Sequence, residues 1–169
     1  YTYRMELRDA GPATLRLGER AARRLHASAV RARALDDWAA AVELGMVAEP
    51  LPVPDPGFRA ELLFDLGFAL RMLGRLEEAL ACLRRSLDQA VEAGDLRVMA
   101  RARVLAVESR VGSGQLMELD AEARSERERA LGEAEASGDA RAQAEVWNCL
   151  SEQAWNEGDF GRSWVELQR

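Results

Sequence analysis

One spacing of residues occurs twice in this chain and restricts the folds open to it. In each copy a large residue is followed by apolar or small residues three, four and seven positions later, and then by a glycine, a large apolar residue, a small residue and a leucine. The two copies are Leu63, Leu66, Gly67, Leu70, Gly74, Leu76, Ala79, Leu83 and Trp147, Leu150, Ser151, Ala154, Gly158, Phe160, Ser163, Leu167. Intervals of three and four place side chains on one helix face, and the later glycine marks a turn. The spacing therefore predicts pairs of helices that bury a core by stacking on neighbouring pairs.

The rest of the chain divides at similar intervals. We expect residues 1–10 to end a preceding helix and residues 11–169 to form helix pairs near 13–49, 58–93, 96–137 and 140–169. Gly-Asp sequences at 94–95 and 138–139 predict a helix end followed by a new helix. The proline-rich segment 50–57 predicts a rigid connector, because proline is excluded from helix interiors. The predicted fold class is all-α, a superhelix of about four antiparallel helix pairs.

The third pair is less regular than the others. We call the residues of each copy that pack the two helices together its ladder. In the third pair the predicted ladder comprises Ala102, Leu105, Ala106 and Ser109, although a ladder displaced by one residue also fits the sequence.

Composition excludes several function classes. The net charge of −6 argues against direct nucleic-acid binding, which needs a basic surface. No apolar run approaches the roughly 20 residues of a membrane span, so we expect no membrane partner and a cytoplasmic location.

The residues that catalysis or metal binding would need are scarce. Phosphate-binding loops require a lysine, and the sequence contains none. His26 is the only histidine, and Cys82 and Cys149 lie apart inside helical patterns, where free thiols are expected. We therefore expect no catalytic residues, no metal ligands and no cofactor, and predict that the chain is not an enzyme.

Three runs resemble a tetratricopeptide (TPR) repeat array: 63–70, 74–79 and 93–95. The runs 25–29 and 36–44 are similar to the C-terminal TPR region of large bacterial STAND/AAA-ATPase signalling proteins, of the LuxR- or MalT-type or the adenylate/guanylate-cyclase type. This resemblance implies a sensor or scaffold arm of a larger regulator, of which the chain is a fragment.

In TPR arrays the first helix of each pair lines a concave groove. The predicted ladder then leaves a set of large or polar side chains to face a ligand: Phe64, Phe68, Arg71, Met72, Arg103, Asn148, Glu152 and Trp155. Exposed aromatic residues beside arginines are typical of protein-binding surfaces. The alternative is that these aromatic residues pack between repeats or lie under another segment of the parent protein.

These observations favour a protein–protein or peptide interaction module. The partner would be a protein or peptide, including another domain of the same chain, and a homo-oligomer could form through the two ends, which both look cut. The alternatives are a small-molecule-sensing arm of a MalT-type regulator and a helical enzyme domain. The identity of the ligand, the output domain of the parent and the oligomeric state stay open.

Overall fold

The computed structural model describes residues 11–112 and 121–156, with side chains as far as Ser151 in the last helix. Within those ranges the regular secondary structure is entirely helical, which confirms the predicted all-α class. The helices, in chain order, are α1 Pro12–Ala34, α2 Trp38–Ala48, α3 Pro56–Met72, α4 Leu76–Ala93, α5 Leu96–Gly112, α6 Ala121–Ser137 and α7 Ala140–Asn156. The expected helix over residues 1–10, and the part of the last pair beyond residue 156, lie outside the described residues.

Aspartates mark where helices begin. In four cases an aspartate carboxylate accepts a hydrogen bond from a backbone N–H in the first turn, at 2.7–3.2 Å, and these residues are Asp37, Asp55, Asp95 and Asp139. Such caps satisfy N–H groups that have no partner within the helix. Gly94 ends α4 in the left-handed conformation (φ 67°), which glycine adopts without steric cost.

Each hydrophobic core joins neighbouring helix pairs. One cluster joins α2, α3 and α4, a second joins α3, α4 and α5, and a third joins α5, α6 and α7. Leu66 and Leu150 are both 5% exposed, so their predicted burial between helices is confirmed. Gly67 lets α3 and α4 approach closely, because a Cβ there would lie 2.9 Å from Cγ of Leu83.

The stacking curves the array toward its first helices. The backbones of α1, α3 and α5 each lie within 8 Å, Cα to Cα, of the next first helix, whereas those of α2, α4 and α6 lie farther apart in the described part of the chain. The first helices of the pairs are therefore closer together than the second helices, so the array curves toward them. This places α1, α3, α5 and α7 on the concave side. This is the arrangement of a TPR-like superhelix.

Candidate functional site

Charged side chains connect the first helices across the concave surface. Helices α3, α5 and α7 begin at residues 56, 96 and 140, so Glu61, Arg101 and Glu145 occupy the same position in each. Arg101 forms ion pairs with both glutamates, and Arg97 adds a second pair to Glu61. Charge therefore alternates along one column of the surface, and we call Glu61, Arg101 and Glu145 the charge column.

Arg101 is the central member of the charge column. It is only 5% exposed, and its Cζ atom lies 4.1 Å from the centroid of the Phe64 ring. A guanidinium at this distance over an aromatic face is attracted by the ring electrons. Sequence reasoning missed Arg101, although its position relative to Glu61 and Glu145 could have revealed it.

A second cluster joins α1 to α3. Nε2 of His26 lies 2.8 Å from Oδ2 of Asp65, and Arg33 forms an ion pair with the other carboxylate oxygen. Burial raises the pKa of the Asp65 carboxyl, but the His26 hydrogen bond and the charges of Arg33, His26 and Arg101 outweigh it. The pKa of Asp65 is therefore below its ordinary value, and the carboxylate stays ionised among its cations.

Phe64 does not face a ligand groove. It is 2% exposed and belongs to the core that joins α3, α4 and α5, with Val98, Ala102 and Leu105 of α5 packed around it. The expectation of an exposed aromatic residue at this position is wrong, because α5 covers it. Arg101 covers the face of its ring.

Phe68, Arg71 and Met72 lie together on the last turns of α3. Phe68 is half-buried, and its ring centroid lies 5.8 Å from that of Trp38. Nη2 of Arg71 lies 3.0 Å from Oε2 of Glu108 on α5, so this arginine already has a carboxylate partner within the array. Met72 is 45% exposed.

Arg103 does not face the groove, contrary to the prediction, but points toward the second helix of its own pair. Its guanidinium donates to Glu133 at 2.9 and 3.0 Å and to Glu126, both on α6, the second helix of its own pair. It is the positional equivalent of Leu63, 40 residues earlier, whereas the predicted ladder residues Ala102 and Leu105 are buried in the core shared with α3 and α4. Asn148 is exposed on α7, and the side chains of Glu152 and Trp155 lie outside the described residues.

A small cavity lies between the first two helix pairs, bounded by His26, Val30, Arg33, Gly45 and Asp65 among others. Its volume of about 10 Å³ is at the lower limit for one water molecule. This cavity therefore has no room for a sugar or a nucleotide.

Two further findings concern the described residues only. Among them no three histidine, cysteine, aspartate or glutamate side chains group closely enough to hold a metal ion. None of the helices described is long and apolar enough to cross a membrane.

Residues 60–90 match the tetratricopeptide repeat family. One helix pair thus matches a TPR repeat, and the fold is TPR-like. The matched segment covers most of α3 and α4, whose ladder is the first of the two copies in the sequence. No curated protein matches the chain. The TPR match and the stacked helix pairs support a repeat protein that mediates protein–protein interaction, since TPR-type repeats generally serve that purpose.

Proposed function

We propose that this TPR array binds a peptide segment of a protein in its concave groove and acts as the sensor or scaffold arm of a larger bacterial signalling or transcriptional regulator in the cytoplasm. The interaction part of this proposal rests on the TPR repeat and on the concave surface. The regulatory part rests on the resemblance of residues 25–29 and 36–44 to STAND-class proteins.

The observation that carries the proposal is the grouping of Phe68, Arg71 and Met72 at the end of α3. Residues three and four positions apart share one helix face, so an aromatic ring, a guanidinium and a flexible thioether are presented together. Aromatic residues and arginine are the residues that contribute most at protein interfaces, and methionine adapts to varied apolar partners. Phe64 and Arg103 are no longer part of the site.

The chemistry of these three residues specifies the ligand. An apolar side chain would bury the exposed part of Met72 and the edge of Phe68. A carboxylate beside it would bind Arg71, and would have to replace Glu108, which now lies 3.0 Å from that guanidinium. The expected ligand is thus an extended or helical segment in which an acidic residue lies next to an apolar one.

Panning a phage-displayed peptide library on the purified chain tests this proposal without a known partner. Peptides that bind the wild type should combine apolar and acidic residues. Arg71→Glu and Met72→Glu should each weaken them at least about tenfold, which corresponds to about 1.4 kcal/mol.

Two exposed residues outside the groove provide matched controls. Arg84→Glu and Val91→Glu on α4 introduce the same charges, and circular dichroism is used to check that all four variants are folded. Binding that survives the two groove variants but is lost on substitution along α6 would place the site on the opposite surface and contradict the proposal.

A further inference from the structure

The outward side of α1 carries an arginine stripe, which we define as Arg16, Arg20, Arg24 and Arg31. All four are exposed. Intervals of four and seven residues place them on one side of the helix, over a length of about 22 Å. Ala22 and Ala29, which are buried, lie on the opposite side of the same helix.

The stripe differs from the other charged surfaces described. Several other exposed arginines pair with glutamates, as Arg75 does with Glu78 and Arg129 with Glu126. Arg84 and Arg124 have no carboxylate partner among the described residues, but they lie on different helices and form no row. By contrast, Arg16, Arg20 and Arg24 have no carboxylate partner among the described residues. Like charges four residues apart on a helix repel each other by a few tenths of a kcal/mol, roughly 0.2–0.5 per pair. A helix face that is merely solvated avoids this cost by alternating its charges.

Charge is also distributed unevenly along the chain. Helix α1 has six arginines and one glutamate among its 23 residues, a net charge of +5. Because the whole chain carries −6, the other residues together carry −11. A basic helix on an acidic molecule attracts short acidic ligands and repels long polyanions, which would extend over the acidic remainder.

From these observations we infer that the arginine stripe of α1 is a second interaction surface, separate from the groove, that binds an acidic segment of a partner protein. Arginines one helical turn apart are separated by about 6 Å along the axis, and so are glutamates at every fourth position of a facing helix. Guanidinium groups bind carboxylates through two parallel hydrogen bonds. Leu17, 62% exposed beside the stripe, offers an apolar contact to the same segment.

Fluorescence anisotropy tests this surface with a labelled helical peptide that carries glutamate at every fourth position. The wild-type chain should bind this peptide and should not bind its glutamine counterpart. The double variant Arg20→Glu/Arg24→Glu should bind at least about tenfold more weakly, and rising salt should weaken the wild type.

The matched control is Arg84→Glu/Arg124→Glu. These two arginines are also exposed and unpaired among the described residues, but they lie singly on α4 and α6. The control should bind as the wild type does, and so should the groove variant Arg71→Glu, which separates this surface from the proposed groove.

Three results would overturn the inference. They are the absence of binding to the acidic peptide, an equal loss in both double variants, and tighter binding to single-stranded DNA or to phosphatidylserine vesicles than to the peptide. The last result would assign the stripe to phosphate groups of a different macromolecule.

Discussion

The guanidinium of Arg101 lies over the ring of Phe64, with Cζ 4.1 Å from the ring centroid, and both side chains are buried on the side of the array where α5 packs between α3 and α7. The same guanidinium pairs with a glutamate on each side. One arginine thus connects three consecutive repeats, and we expect the charge column to stabilise their stacking.

Replacing Arg101 by alanine should destabilise the chain by roughly 2–4 kcal/mol. The substitution removes the buried cation from the Phe64 ring and one of the two arginine partners of each glutamate, while Glu61 keeps Arg97 and Glu145 keeps Arg141. Urea unfolding measures the change. The control is Arg84→Ala, at an exposed arginine with no carboxylate partner among the described residues, and it should stay within about 0.5 kcal/mol of the wild type. A loss below about 0.5 kcal/mol for Arg101→Ala would show that the charge column does not hold the repeats together.

Truncation of Leu66 tests the packing between the first two pairs. Leu66 is buried in the core of α2, α3 and α4, and one of its methyl groups fills the space beside Gly45. Leu66→Ala should cost about 2–5 kcal/mol, because it removes buried apolar contacts and leaves a cavity. Leu17→Ala, at an exposed leucine, is the control. Equal and small effects at the two positions would contradict the packing described.

The Asp65 cluster predicts a stability change in acid. The pKa of Asp65 is lowered from its ordinary 3.8, so its carboxylate contributes stability above that pH and loses it as the pH falls toward the lowered value. The partners are His26 and Arg33 on α1 and Arg101 on α5. The difference in unfolding free energy between wild type and Asp65→Asn should therefore be smaller at about pH 3 than at about pH 5. A difference that grows in acid would mean that Asp65 is not stabilised in its ionised form.

Removing the internal partner of Arg71 should strengthen the binding of an acidic peptide. Glu108→Gln removes the charged partner that a ligand carboxylate would have to displace from Arg71, so the affinity of selected peptides should rise by up to about fivefold, or about 1 kcal/mol. Glu78→Gln, which breaks an exposed pair on α4, is the control and should change nothing. Weaker binding by Glu108→Gln would show that Glu108 itself contacts the ligand.

Short-range patterns predicted the fold well. Leucines at three- and four-residue intervals, Gly67 at a close approach and Gly94 before Asp95 at a helix end each depend on local geometry. Local patterns of this kind predicted helix ends and close approaches in the described residues, and the all-α TPR-like class is confirmed.

The groove was harder to predict, because it depends on how far one helix covers the next. Phe64 has the spacing of a groove residue, yet Leu105 and its neighbours on α5 bury it. Arg103, which was expected to face the groove, occupies the position that Leu63 has in the preceding pair. Glu126 and Glu133 compensate its charge there. Because an ion pair there takes the place of an apolar contact, the hydrophobic spacing could not decide between the two registers of this helix.

Site-specific photo-crosslinking measures the central claim most directly. A photoreactive phenylalanine analogue is introduced in place of Met72 in the groove, or in place of Val91 on α4, both of which are exposed, and each variant is irradiated with a peptide selected by panning. The account predicts a crosslink from position 72 and none from position 91. A crosslink from position 91 alone would contradict it, because the ligand would then lie on the second helices and not in the concave groove.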